Sequence, residues 1–203
     1  MEKQETKETF LKKIKQNKEK LLPFILCAVA IISDQVTKAI VAANVAVGET
    51  SWSCFNGFFA ITHRRNPGVA FSLGATWPLW MRKLIFIVIP ILVIAYVIKL
   101  YMKREELTKL QRWSICGIIG GGIGNLIDRT LWPHEGVIDF IDVQWFGWTE
   151  SPFSFFRMDR FATFNVGDSF VVVCGAILIV TFIVMYARQS KEAKKEKAAK
   201  KNK

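Results

Sequence analysis

Two aspartates stand out by where they fall in the chain. Asp139 follows Gly136-Val137-Ile138, and Asp168 closes Phe164-Asn165-Val166-Gly167 at the mouth of a long apolar run. A charged side chain near a bilayer centre costs about 2.5–3.5 kcal/mol on insertion scales, so acids at the edge of such a run need partners or a use. Two carboxylates brought together in a medium of low dielectric cannot both be stable anions. One retains a proton, and the pair then supplies a general base and a general acid at once. The base removes a proton from water; the acid protonates a departing amine. No Ser–His or Cys–His arrangement competes, because His63 and His134 lie in loops without a matched serine or cysteine motif. His63, beside Arg64 and Arg65, reads as a surface residue.

Other polar residues sit in equally apolar company. Asp34 and Lys38 are one helical turn apart inside the first hydrophobic run and can pair on one face. Asn125, Asp128 and Arg129 end a glycine-rich run that begins at Cys116. Asp128 with Arg129 reads as an architectural pair at a helix end, and Asp142 and Asp159 as ordinary loop acids. Gly117/Gly121 and Gly120/Gly124 form GxxxG pairs, which let helix backbones approach closely. Packing accounts for Gly117 and Gly120. For Gly121 and Gly124, packing and room for an extended peptide remain equal readings.

The elements that must position these groups are membrane spans. Of 203 residues, 51% are hydrophobic, yet the net charge is +11. The charge gathers in tails and short loops, which points to anionic lipid and not to nucleic acid. Four apolar runs are long enough for spans: Leu21 to about Ala43, Leu84–Tyr101, Trp113–Ile127 and Val166–Ala187. Pro90, inside the second, is tolerated in bilayer helices. The first tail, the loop Lys99–Arg112 and the tail from Arg188 hold seven, five and eight Lys or Arg, twenty of the twenty-eight. The positive-inside rule then puts both termini in the cytoplasm. The fold class expected is an all-α membrane protein of four transmembrane helices, with a small extracytoplasmic β-sheet and an interfacial helix. Residues 52–74 supply strands and turns, and Thr76–Lys83 the helix.

Residues 1–20 form a basic cytoplasmic tail or a short interfacial helix, 21–187 the membrane domain, and 188–203 a basic disordered tail. Ten Phe or Trp residues between Trp132 and Phe164 should rest at the headgroup level. Cys27, Cys54, Cys116 and Cys174 show neither metal-site nor disulfide spacing, so no metal or cofactor is expected. Counted from the inner ends of their helices, Asp34 lies roughly 20 Å up, Asn125 roughly 18 Å and Asp168 roughly 28 Å. Independent segments thus bring polar groups to the outer half of the bilayer, on the side of Asp139.

Five motifs in order carry a family resemblance: Asp34-Gln35-Val36-Thr37-Lys38, Asn66-Pro67-Gly68-Val69-Ala70-Phe71-Ser72, Gly121-Gly122-Ile123-Gly124-Asn125-Leu126-Ile127-Asp128-Arg129, Val137-Ile138-Asp139-Phe140, and Phe164-Asn165-Val166-Gly167-Asp168. Over roughly Leu21–Ala187 the chain resembles bacterial lipoprotein signal peptidase, the type II signal peptidase. The resemblance implies an intramembrane aspartic endopeptidase of the bacterial inner membrane, with its active site toward the extracytoplasmic face. Its substrates would be diacylglyceryl-modified prolipoproteins, cut before the lipidated cysteine, among membrane phospholipids and as a monomer. Asp139 and Asp168 match the family's catalytic pair. Asn66, Asn125, Arg129 and Asn165 match its polar residues around the substrate backbone, with Asp34, Lys38, Gly121 and Asp128 in support. Gly167 stands where the family usually has alanine, and the loop from Asp142 to Phe164 is longer. The alternative is a small transporter or ion-binding protein using intramembrane carboxylates. It predicts a polar path through both halves of the bilayer, whereas the inner halves of these runs are nearly uniformly apolar.

Overall fold

The computed structural model describes residues 17–69, 72–144 and 160–201, with side chains to residue 193. The tail before Asn17, Ala70 and Phe71 of the second motif, and the aromatic insertion with Arg157 and Asp159 lie outside the described residues.

The chain runs α1 (Phe24–Asn44), β1 (Thr50–Cys54), β2 (Phe59–Asn66), α2 (Leu79–Lys83), a π-helical stretch (Leu84–Val88), α3 (Ile89–Lys103), α4 (Lys109–Leu131), β3 (Val137–Val143) and α5 (Val166–Lys201). Among the described residues, three helices are long and apolar enough to cross a membrane: Asn17–Asn44, Leu79–Lys103 and Val166–Ala193. The expected fourth, α4, is absent from that set because polar and glycine positions thin its apolar content. It lies instead among the other helices, with Cys116, Gly117, Ile119, Gly120, Gly121 and Gly124 buried. A helix covered by helices need not be apolar all round.

Local chemistry sets the helix ends. The Thr108 hydroxyl accepts from Gln111 N–H at 3.2 Å while Gln111 Oε1 accepts from Thr108 N–H at 3.0 Å, a reciprocal capping box that starts α4. Pro90 has no N–H for the carbonyl four residues back, and the helix widens to π geometry just before it. Through that stretch α2 is continuous with α3. The expected interfacial helix is therefore the first turns of the long apolar helix Leu79–Lys103 and not a separate element. At the other end of the chain, the segment from Arg188 to Lys201 extends α5 as helix instead of a disordered tail. Its Lys, Ala and Glu residues are good helix formers, and growing from an existing helix avoids the cost of nucleation.

The sheet is antiparallel in the order β1-β2-β3. Its third strand comes from beyond α4, outside residues 52–74 where strands were expected, and carries Asp139. The sheet packs on helix ends: Ile138 and Phe140 of β3 bury against Val41 and Val45 at the end of α1, with Val166 of α5 beside them. A bulge in β2 opposes Thr62 and His63 to the stretch between Asp139 and Ile141. Bulges bend a strand and re-aim its side chains. Here the bulge turns His63 inward; it is 3% exposed, with Nδ1 2.7 Å from the Val45 carbonyl, and is not the surface residue expected. Asp142 is likewise no loop acid. It is buried on β3 and pairs with Arg160 at 2.7 Å.

Candidate active site

Asn165 is placed by two elements at once. Phe164 pairs with the outer edge of β3, its N–H donating to the Ile141 carbonyl at 3.0 Å and its carbonyl accepting from Ile141 N–H at 2.8 Å. The next residue caps α5. Asn165 Oδ1 accepts from Asp168 N–H at 2.9 Å, and Asp168 Oδ2 accepts from Asn165 N–H at 3.1 Å, a second capping box in which the helix-start acid is Asp168 itself. The remaining group, Asn165 Nδ2, donates to Asp139 Oδ1 at 2.8 Å and to Asn125 Oδ1 at 3.0 Å. One fully buried carboxamide thus joins both aspartates.

Each aspartate has a second donor. Asn66 Nδ2 donates to Asp139 Oδ2 at 3.0 Å, and Asn125 Nδ2 donates to Asp168 Oδ1 at 2.8 Å. Asn66 is positioned by its own turn, with Oδ1 accepting from Gly68 N–H at 3.0 Å. Gly136 makes room for that turn: its φ is +82°, and a Cβ there would overlap the Asn66 carbonyl. Burial first, and then the nearby charge of Asp168, push the Asp139 carboxyl up to about 7; the donors Asn66 and Asn165 and the charge of Lys38 pull the other way.

Beneath the pair lies an ionic hub. Lys38 Nζ donates to Asp34 Oδ2 at 2.7 Å and to Asn125 Oδ1 at 2.9 Å, and pairs with Asp128 Oδ2 at 3.0 Å. Lys38, Asp34 and Asp128 are all 2% exposed or less. The free ends of the two carboxylates hold backbone: Asp34 Oδ1 accepts from Gly167 N–H at 2.8 Å, and Asp128 Oδ2 from Ile138 N–H at 3.1 Å. Lys38 thereby ties α1, α4, β3 and the start of α5, and fixes which way Asn125 faces. Asp128 does not pair with Arg129 as expected. Arg129 donates instead to the Gly68 carbonyl at 2.8 Å.

The glycines of α4 admit these neighbours. A Cβ on Gly121 would overlap the Gly167 carbonyl, and one on Gly124 would overlap the Asp34 carboxylate. The space beside both is therefore filled by α5 and α1, which decides between packing and peptide room. Gln35 is the residue that sequence reasoning passed over. Its Nε2 donates to the Gly124 carbonyl and to Asp128 Oδ1, both at 3.0 Å. Its signal was a polar amide in an apolar run, adjacent to Asp34.

Fold and site together define a multi-pass membrane protein with a buried carboxylate and carboxamide network where its helix ends meet a small sheet. The family model for signal peptidase (SPase) II matches residues 26–184. The lipoprotein signal peptidase of Treponema denticola is 42% identical over 174 residues, covering 86% of this chain and 95% of that protein. That of Treponema pallidum is 37% identical over 175 residues, covering 86% and 88%. Two solved structures of bacterial membrane enzymes are similar in fold. One has a TM-score of 0.67 at 24% identity, over 82% of this chain and 90% of its own; the other has 0.64 at 26%, over 79% and 92%. The chain belongs to the signal peptidase II family, and is therefore a peptidase.

Proposed function

We propose that this chain removes signal peptides from prolipoproteins as an intramembrane aspartic endopeptidase, with Asp139 and Asp168 as the catalytic pair. The observation that carries the reading is the Asn165 carboxamide, which bonds to Asp139 while capping box bonds hold Asp168. Asp168, as base, takes a proton from water, and the resulting hydroxide adds to the scissile carbonyl carbon. Asp139, holding its proton, delivers it to the amide nitrogen as the C–N bond breaks, and the pair exchanges protons for the next cycle. Arg129, Asn66 and the Gly68 carbonyl border the pair and are suited to holding an extended peptide backbone. Asp34, Lys38, Asn125, Asp128 and Gly121 support this arrangement from below.

The substrate proposed is a prolipoprotein already carrying diacylglyceryl on its cysteine, cut on the N-terminal side of that residue. A lipid anchor would hold the scissile bond at the depth of the pair, since each buried CH₂ adds about 0.8 kcal/mol of membrane affinity. We propose α4 as the fourth crossing, with both termini cytoplasmic and the pair facing outward from the inner membrane. Residues 21–187 then form the peptidase domain, between basic tails 1–20 and 188–203. The transporter alternative is not favoured by membership of a peptidase family.

Incubating the purified protein with a diacylglyceryl-modified prolipoprotein should release the intact signal peptide, read by its mass. Asp139→Asn and Asp168→Asn should each stop release while the protein stays folded, because an amide can act neither as base nor as acid. Near-normal turnover by either variant would sink the assignment.

A further inference from the structure

Arg82 and Lys83 end α2, and Arg129 lies across from them near the end of α4. These three cations line one groove together with Phe86 and Ile87, and no acidic residue among the described residues lines it. Two guanidinium N–H groups on this groove have nothing to donate to. Arg82 Nε and Arg129 Nε are buried and lack a hydrogen-bond partner among the described residues. Arg82 otherwise reaches only the His134 carbonyl, at a long 3.4 Å. Arg129 has its Nη2 on the Gly68 carbonyl at 2.8 Å, and its guanidinium sits 6.0 Å from the centre of the Phe86 ring. A buried donor without an acceptor costs about 1–3 kcal/mol. An anion presenting several oxygens supplies the missing acceptors beside the charges of Arg82 and Lys83, while the charge of Arg129 is already offset by Asp139, Asp168 and Asp128.

Position selects the anion. α2 runs directly into a membrane-spanning helix, so the groove lies where the span meets the headgroups. Exposed Trp77 and Trp80 lie on the same turn of chain, as aromatic residues do at that level. Phe86 and Ile87 follow on the bilayer side of the cations. A free anion would satisfy the arginines alone, whereas a phosphate esterified to a diacylglycerol also sends its chains into the bilayer that the span enters.

We propose that the groove between α2 and the C-terminal end of α4 binds the headgroup of a net-anionic glycerophospholipid. Its phosphate lies on Arg82 and Lys83, on the side of Arg129, and its chains run past Ile87, which is only partly buried. The bound lipid completes the wall beside Arg129 and is a resident of the peptidase, distinct from its substrate. This inference rests on the proposed membrane placement and is independent of the catalytic pair.

The test is native mass spectrometry of the full chain in detergent, titrated with dioctanoylphosphatidylglycerol, dioctanoylglycerol or inorganic phosphate. One phosphatidylglycerol should be retained, and losing one charged contact in Arg82→Gln or Lys83→Gln should weaken it about tenfold. Lys99→Gln, at the opposite end of α3, should leave binding unchanged. Equal retention of dioctanoylglycerol would show that charge is not read. Displacement by an equal concentration of inorganic phosphate would make this a soluble-anion site. Either result overturns the proposal, as does undiminished binding in Lys83→Gln, an exposed position that the fold does not need if Arg82→Gln misfolds. Asp139→Asn should keep its lipid, so failure of the catalytic reading would appear separately, as full cleavage by that variant.

Discussion

At the scale of single residues, the two aspartates differ by their surroundings. Asp139 sits on a strand sealed by helix ends, with Asp168 nearby, and its carboxyl is pushed up to about 7. In the mechanism proposed above, the pair holds a proton for the leaving amine below that value and loses the acid above it. Cleavage should therefore fall on the alkaline side with an apparent pKa of about 7, which belongs to the coupled pair and to neither residue alone. The same shift affects stability. The ordinary carboxyl value is 3.8, so between 3.8 and about 7 the unfolded chain releases a proton that the folded chain keeps. Stability should decline as pH rises through that window and then level off. Initial rates across the alkaline range with one modified prolipoprotein, and thermal unfolding of the Asp139→Asn variant as a reference without this decline, check both. A rate that stays flat above pH 7 would contradict the assignment of Asp139 as acid.

At the scale of elements, α4 decides whether the network can assemble, because its glycines set how near α1 and α5 come. Gly121→Ala should destabilise the protein by about 1–3 kcal/mol, the usual cost of overpacking a fitted interface, and lower activity by separating Asn125 from Asp168. Gly122→Ala should do neither, since its nearest neighbour would be Ile94 Cδ1 at 3.8 Å. Thermal unfolding in detergent and cleavage rates on the two variants would separate them; equal behaviour would mean that the Gly121–Gly167 approach is unimportant. The same contrast shows what a sequence discloses. Asp34, Asn125 and Asp168 were legible because carboxylates and amides in apolar runs are costly wherever they occur. The neighbours of each glycine were not, since GxxxG spacing is identical whether a helix or a substrate fills the space. β3 was hidden for a related reason. Val137–Val143 is buried on nearly every residue, so the period of two that marks a half-exposed strand is missing. The inward turn of His63 depends on a bulge, a local irregularity with no composition of its own. Lys38 could be paired with Asp34 by spacing, but its bonds to Asn125 and Asp128 join residues nearly ninety positions away.

At the scale of the whole molecule, three helices among the described residues are long and apolar enough to cross a bilayer, and α4, proposed above as the fourth crossing, is largely buried against other helices. At 1.5 Å per residue, α4 spans about 34 Å, enough for the hydrocarbon core. Its N-terminal end, with Arg112 donating to the Arg104 carbonyl at 2.9 Å, closes the basic loop after α3. Its C-terminal end carries Asn125 and Arg129 into the site. If α4 did not cross, α3 and α5 would enter from opposite sides, and the Lys- and Arg-rich tail beyond Arg188 would lie outside, against the charge bias of the chain. A topology reporter fused after Lys103 should therefore read cytoplasmic, one inserted at Trp148 extracytoplasmic, and one fused after Lys203 cytoplasmic again. The third fusion is the discriminating one, because only an even number of crossings returns the chain to its starting side. A cytoplasmic signal at Lys103 with an extracytoplasmic signal at Lys203 would remove α4 as a span.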